Sequence, residues 1–154
     1  MSSTRKGNQW HFGMKASVGV EARSGLVHTV ATTTASVHDS AVMQQLLHGQ
    51  EPVLVADKGY ASDRGKREAR QKGMCWGILD KAKRGSALSG KQLARNRHWA
   101  SVRAKVEHPF RVLKCQWQYR KVRYRGLAKN TMQLLSLFGL ANLYMARKKL
   151  LTLA

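Results

Sequence analysis

A strict alternation of apolar and polar residues runs from Trp10 to Glu21 and constrains the fold more than any other feature of the chain. Successive side chains of a strand point to opposite faces of a sheet, so the alternation predicts one long strand with a single buried face. The segment Glu21–Gly25 is typical of a turn, and the β-branched segment Leu26–Thr34 predicts the returning strand of a hairpin. The residues assigned to the buried face are Trp10, Phe12, Met14, Ala16, Val18 and Val20.

The next part of the chain alternates between helical and strand patterns. A short helix is predicted from Val37 to His48, and a charged helix capped by its first residue spans Asp63–Lys72. The segment Val53–Ala56 is continuously apolar, which suits a strand covered on both faces, and Met74–Leu79 predicts a further short strand. Asp57 directly follows the first of these strands. Open α/β sheets bind their ligands at such strand ends, so Asp57 is a candidate site residue.

Glu107 is the only carboxylate between Arg95 and Lys129, a segment with eleven Lys or Arg residues. A helix is predicted from Ala100 to about Tyr119, and Pro109 predicts a kink just below the acid. One interpretation is a surface glutamate in i,i+4 ion pairs, each worth a few tenths of a kcal/mol. The other is a functional acid held among cations. The polar stripe of this helix consists of Arg103, Glu107, Arg111 and Lys114.

Two further segments are strongly basic. The segment from Asp80 to His98 is predicted to be an exposed loop, which would either contact phosphates, through Arg97 among others, or act as a solvated linker. From Gln118 to Lys129, aromatic residues are interleaved with Arg123, Arg125 and other cations. These aromatics would either stack on bases or pack into the core.

The last helix is predicted to begin at Asn130 as its cap and is apolar nearly all round as far as Tyr144. A membrane span needs about 20 apolar residues. This helix has a shorter run that is interrupted by polar side chains, which predicts a buried or subunit-interface helix. Arg147, Lys148 and Lys149 suit the negative end of the helix dipole.

The overall composition predicts a folded domain that binds a polyanion. The 154 residues carry a formal net charge of +20 and are 43% hydrophobic, so the chain is too apolar for a disordered basic tail. Nucleic acid is the default partner of such a domain, and the spread of charge along the chain argues against a membrane surface. Cys75 and Cys115 lie in apolar or basic surroundings and lack metal-ligand spacing, which indicates buried thiols in a reducing cytoplasm and no zinc site. The N-terminus has no signal-peptide pattern.

Five segments together closely resemble the DDE transposases of bacterial insertion sequences, specifically the fifth-type group within the ribonuclease H-like class. The family signature R-x3-E-x6-K is matched in register by Arg103, Glu107 and Lys114, whereas its leading tyrosine falls at Ala100. Asp57 matches the second catalytic aspartate of the family. The segments are KGNQWHFGMKASVGVEARSGLVHTV, VHDSAVMQQLLHG, VADKGY, VRAKVEHPFRVLK and VRYRGLAKNTMQLLSLFGLANL, so the resemblance covers nearly the whole chain.

The resemblance implies an α/β fold, a ribonuclease H-like mixed sheet flanked by helices, and two-metal chemistry on DNA. Asp57 and Glu107 would be both catalytic residues and ligands of Mg²⁺ or Mn²⁺ ions that lie roughly 3.5–4 Å apart. The surrounding cations would keep Glu107 ionised. The residues expected to contact DNA are Arg103, Lys114, Arg111, Arg97, Arg123 and Arg125.

The chain departs from the family pattern at its N-terminus. The first catalytic aspartate of the family lies on a central strand before the KGNQW motif, and this chain begins at Met1, a few residues ahead of that motif. Residues 1–154 are therefore expected to be the C-terminal part of a single catalytic domain that lacks its first strand. The neighbours of the missing strand would either pair with each other or accept a strand from a partner chain. Glu21, in a predicted turn, and Asp39, a predicted helix cap, are poor substitutes for the missing aspartate.

Three functional hypotheses follow. The first is a transposase by descent that is inactive alone and binds transposon ends, as a homo-oligomer or with full-length transposase. The second is a non-catalytic DNA-binding remnant that modulates full-length transposase. The third is an unrelated RNA-binding protein, which accounts for the charge but not for the motifs. Metal-dependent nicking, salt-sensitive DNA binding and a preference for RNA would distinguish the three.

Overall fold

The computed structural model describes residues 1–82 and 85–153, without the side chain of Lys6. The chain forms two compact units. The first unit combines Met1–His38 with Val106–Ala154, and the second unit is the intervening segment Asp39–Lys105. In chain order the strands and helices are β1 (Ser2–Lys6), β2 (Gln9–Val20), β3 (Val27–Thr34), α1 (Asp39–Leu46), β4 (Val53–Leu54), α2 (Asp63–Gln71), β5 (Cys75–Trp76), α3 (Gly90–Arg103), α4 (Glu107–Arg111) and α5 (Leu127–Leu151).

The first unit contains an antiparallel sheet with the strand order β1–β2–β3. The predicted hairpin of β2 and β3 is confirmed, with Met14 opposite Thr34. Its turn is closed by a 2.8 Å hydrogen bond from the Gly25 amide to the Glu21 carbonyl, and Gly25 has a left-handed φ of +75°. The strand β1 was not predicted, because its polar sequence SSTRK has no apolar alternation.

The prediction that Trp10 and Phe12 face the core is wrong, since 70% and 71% of their surfaces are exposed. Both lie in the half of β2 that pairs with β1. Val18, in the half that pairs with β3, is buried in the core. Alternation predicts which side chains share a face, but their burial needs a second layer of structure. In the first unit that layer covers only the half of the sheet that includes β3.

The helix α5 supplies this second layer. Leu134, Phe138 and Ala141 recur at helical spacing and are buried. Asn142 fixes the helix to β3, because the Val27 amide donates to its Oδ1 at 2.9 Å and its Nδ2 donates to the Val27 carbonyl at 2.7 Å. The helix is therefore buried on one side only. The exposed apolar residues of α5 include Met132, Leu135, Leu140 and Leu143.

The prediction that Asn130 caps this helix is wrong. The helix begins at Leu127, and its N-cap residue is Gly126, with φ +84°. Asn130 is instead completely buried inside the first turns. Its amide donates to the carbonyls of Tyr124 and Gly126 at 2.7 and 2.6 Å, and its Oδ1 accepts from the Tyr124 amide at 3.2 Å. Asn130 therefore ties the preceding basic loop to the helix.

The second unit contains a parallel pair of strands, β4 and β5. The prediction that Val53–Ala56 is covered on both faces is wrong, since 40% of the Val53 surface is exposed. The prediction that Asp63 caps α2 is also wrong: the cap is Ser62, whose hydroxyl oxygen accepts from the Gly65 amide. The predicted strand Met74–Leu79 is shorter and forms β5, but the residues after β5 make further hydrogen bonds to β4 and to the segment after it. The prediction that Cys75 and Cys115 are buried is wrong, since both are exposed free thiols.

The prediction of a loop from Asp80 to His98 is wrong for its second half, which forms the start of α3. Ser89 and Gln92 form a capping box, in which each side chain bonds the other residue's backbone. The spacing Ser-x-x-Gln was the sequence signal for this helix, and the basic composition obscured it. Lys83 and Arg84 of the predicted loop lie outside the described residues.

The structure confirms a mixed α/β protein, but its strands belong to two small sheets rather than to one. The hairpin belongs to the three-stranded sheet, and the strand that leads to Asp57 pairs with β5. Within residues 1–82 and 85–153, no helix is long and apolar enough to cross a membrane.

Candidate functional site

Glu107 is the first residue of α4 and is exposed in the first unit. The predicted continuous helix is interrupted by a 3-10 turn at Ala104–Val106 and ends in a π turn at Val112–Gln116. The helix is therefore interrupted on the N-terminal side of Glu107, whereas the predicted kink at Pro109 lay on its C-terminal side. Pro109 is buried as the third residue of α4. Its missing N–H costs little there, because the first turn of a helix has no intrahelical acceptors for its amides.

The polar stripe around Glu107 is exposed only in part. Arg103 is the last residue of α3, in the second unit, and is half-buried, whereas Arg111 and Lys114 are exposed in the first unit. The Lys114 ammonium lies 5.3 Å from the centroid of the Phe110 ring. The π turn adds a residue to the helical turn, so the 100° spacing assumed for the stripe does not extend to Lys114.

Asp57 is exposed and lies in the second unit, three residues after β4 ends. It caps a 3-10 turn at Lys58–Tyr60, because its Oδ1 accepts from the Lys58 amide at 2.8 Å. A carboxylate has about four acceptor positions, so this capping bond leaves capacity for a cation. Asp57 therefore has a structural role that does not exclude a role as a metal ligand.

The strand pair that leads to Asp57 continues beyond β4 and β5. The amide of Gly77 donates to the Leu54 carbonyl at 2.7 Å, and the amide of Leu79 donates to the Ala56 carbonyl at 3.3 Å. A Cβ added at Gly77 would lie 2.9 Å from the Leu54 carbonyl oxygen and 3.1 Å from the Trp99 ring. Close approach of the two backbones therefore requires glycine at position 77 and sets the path of the chain into Asp57.

Gly77→Ala is expected to lower the free energy of unfolding of the second unit by about 1–3 kcal/mol, because the methyl group overlaps a backbone oxygen that cannot rotate away. Urea unfolding monitored by circular dichroism measures the change. The matched control is Gly13→Ala, since an added Cβ there meets nothing within 4 Å. Equal stability of the two variants would contradict the close-packing explanation.

The described residues do not form a complete metal centre. Asp57 and Glu107 offer the carboxylate oxygens that Mg²⁺ and Mn²⁺ prefer, but they belong to different units. Within residues 1–82 and 85–153, no group of three or more His, Cys, Asp or Glu side chains could hold a metal ion. The assignment of Asp57 and Glu107 as metal ligands therefore stays a prediction.

The aromatic residues in and before the basic loop that precedes α5 were expected either to stack on bases or to pack into the core. Tyr119 is half-buried, and its hydroxyl donates to Gln133 Oε1 at 3.1 Å. Burial raises the pKa of the Tyr119 phenol, against the opposing charge of Arg123. Trp117 is also half-buried and packs edge-on to Tyr144, with ring centroids 6.1 Å apart. Both rings thus contribute to packing, whereas 50% of the Tyr124 surface is exposed.

All of the arginines assigned to DNA contact except the half-buried Arg103 are exposed to solvent. Arg97 is exposed on α3, and Arg123 and Arg125 are exposed in the loop before α5. Sequence reasoning assigned Arg147 only to the helix dipole, and it gave His108 no role. Both line a cleft of the first unit together with Arg111. Arg147 is 36 positions from Arg111, so no local motif could have indicated this cleft.

Residues 1–143 match the family described as Transposase DDE domain, a range that contains both Asp57 and Glu107. The chain belongs to the transposase DDE domain family. Membership links the chain to DNA transposition and implies DNA as its partner. The transposase match also excludes the third hypothesis, an unrelated RNA-binding protein. No solved structure shows significant similarity to the chain.

Proposed function

We propose that this chain is a DNA-binding transposase domain of the ribonuclease H-like, fifth-type insertion-sequence group, which does not cleave DNA by itself. The observation that carries the proposal is the family match over residues 1–143, a range that contains Asp57 and the signature residues Arg103, Glu107 and Lys114. Asp57 and Glu107 act as two of the carboxylates that such a site directs at Mg²⁺ or Mn²⁺. A third carboxylate is needed to complete the site.

The charge of the chain supports binding to the DNA backbone. The net charge is +20, and five of the six cations assigned to DNA contact are exposed. Each phosphate that a protein neutralises releases condensed counterions, so the affinity should fall steeply with salt. The binding of duplex DNA is therefore expected to depend on salt whether or not the chemistry of Asp57 and Glu107 operates.

The test uses the 154-residue chain with labelled duplex DNA that carries a transposon end, in buffer with Mg²⁺ or Mn²⁺. We expect salt-sensitive binding of the duplex and no nicking. Asp57→Asn and Glu107→Gln should leave DNA affinity in metal-free buffer nearly unchanged but weaken the binding of Mn²⁺, measured directly by electron paramagnetic resonance. Nicking by the native chain that both variants abolish would show a complete enzyme and overturn the proposed inactivity. Unchanged Mn²⁺ binding in both variants would overturn the metal-ligand role.

A second candidate is a DNA-binding chain that modulates a full-length transposase. The exposed apolar residues Met132, Leu140 and Leu143 of α5 favour it, because they offer a surface for another chain. Adding the chain to an active full-length transposase should then inhibit strand transfer, even with Asp57→Asn and Glu107→Gln in place. If inhibition disappears when both proteins are supplied with excess DNA ends, competition for DNA explains it without contact between the chains.

A further inference from the structure

The first unit contains an open cleft of about 440 Å³, and Arg111 of the polar stripe around Glu107 lines it. Its walls come from the turn after β2, from α4 with the following π turn, and from the C-terminal half of α5. All of these elements belong to the first unit. Val112, Tyr144 and Met145 contribute the apolar part of its lining.

The charged side chains that line the cleft are two arginines. Arg111 and Arg147 line it beside His108, and none of the described lining residues is acidic. Glu21 lies close by in sequence to the lining residue Ser24, but its carboxylate accepts a hydrogen bond from the Ser24 hydroxyl and does not itself line the cleft. Cations collected in a concave site without a counter-charge favour an anionic ligand.

The guanidinium of Arg147 is held in one orientation. Its central carbon lies 4.1 Å from the centroid of the Tyr144 ring, and its Nη1 donates to the Tyr144 carbonyl at 2.6 Å. Tyr144 is in turn packed edge-on by Trp117. A guanidinium that is already stacked and bonded loses less rotational freedom when it binds a ligand.

Arg111 approaches the cleft from a different element, as the last residue of α4. It is exposed, and it forms no ion pair among the described residues. His108 lies one turn earlier on the same helix and adds a third possible donor. Arginine side chains present forked N–H groups that match the oxygens of phosphate.

We propose that this cleft binds a phosphodiester group of the DNA backbone through Arg111 and Arg147, with His108 as an additional donor. The inference rests on the proposed function, in which the chain binds DNA. It adds Arg147 and His108 to the DNA-contacting residues. Because Glu107 begins the helix that carries Arg111, four residues and about 6 Å of helical rise separate the acid from this contact. A strand held in the cleft therefore passes close to Glu107.

The test compares two double variants that each remove two positive charges. The cleft variant is Arg111→Gln/Arg147→Gln. The control variant, Lys148→Gln/Lys149→Gln, changes two exposed residues of α5 that do not line the cleft. The dissociation constant for a duplex is measured by fluorescence anisotropy from low to moderate salt. The slope of log K against log salt should fall by about one for the cleft variant, as expected for one lost phosphate contact, and change little for the control.

Melting temperatures and a competition experiment with phosphate accompany the comparison of salt slopes. The melting temperature of each variant shows whether it folds. If the double variant fails to fold, Arg111→Gln alone replaces it, because this change removes no described side-chain contact. Equal slopes in the cleft and control variants would overturn the inference while leaving DNA binding intact. Absence of duplex binding by the native chain at any salt would overturn the proposed function itself. At constant ionic strength, inorganic phosphate should compete with DNA for the cleft of the native chain. If phosphate raises the melting temperature of the native chain but the cleft variant keeps the native salt slope, the cleft is a site for free anions and the inference is overturned.

Discussion

Phe138→Ala is expected to lower the free energy of unfolding of the first unit by about 3–5 kcal/mol. Only 1% of the Phe138 surface is exposed, and its ring packs edge-on to Phe110 with centroids 5.5 Å apart. Truncation would remove apolar burial and leave a cavity that the rigid helix cannot close. Denaturant unfolding followed by tryptophan fluorescence and circular dichroism measures the loss.

The matched control for Phe138 is Leu140→Ala on the same helix, since 54% of the Leu140 surface is exposed. This control should change stability by less than about 1 kcal/mol. If the two substitutions had equal effects, α5 would not pack in the orientation described. A large effect at Leu140 that grows with protein concentration would instead show that another chain covers this exposed surface in solution.

Asn130→Ala is expected to cost about 2–4 kcal/mol, because it removes the partners of three backbone groups. The amide and carbonyl of Tyr124 and the carbonyl of Gly126 would lose their hydrogen bonds to the side chain. The loop that carries Arg123 and Arg125 should also open more often. Trypsin should therefore cleave after these arginines several-fold faster than in the native chain.

The control for Asn130 is Ser136→Ala, an exposed position on the same helix whose hydroxyl donates to the Met132 carbonyl. This change should alter stability by about 0.5 kcal/mol or less and leave the cleavage rate unchanged. A cleavage rate in Asn130→Ala equal to that of the native chain would contradict the view that this asparagine holds the loop.

The parts of the fold that depend on local pattern were predictable from the sequence. The hairpin follows from period-two alternation and from Gly25, whose left-handed conformation the turn requires. The start of α3 was also available in principle, since Ser89 and Gln92 form its capping box. The basic composition of this segment is typical of an exposed loop and conflicts with the capping signal.

The features that the sequence did not reveal depend on distant contacts. Trp10 and Phe12 alternate as a buried face would, but no local pattern shows whether another layer covers them. Asn130 has the residue type of a helix cap, and only the path of the preceding loop places it inside the helix. Asp57, at a strand end, and Glu107, a lone acid among cations, were candidates from local pattern, but only the family resemblance assigned them a catalytic role. Arg111 and Arg147 line one cleft only because α5 packs beside α4, which no local sequence pattern indicates.

The hydrogen bonds between Val27 and Asn142 join positions 115 residues apart, and the whole second unit lies between them in the chain. During synthesis, the hairpin leaves the ribosome long before the helix that covers it. The second unit is continuous in sequence, so all of its residues are synthesised before α5. The sheet can be covered only after Asn142 has been synthesised, because a non-local contact of this kind forms late and slowly. Release of a chain that ends before position 142 should therefore leave an uncovered hairpin that is prone to aggregation.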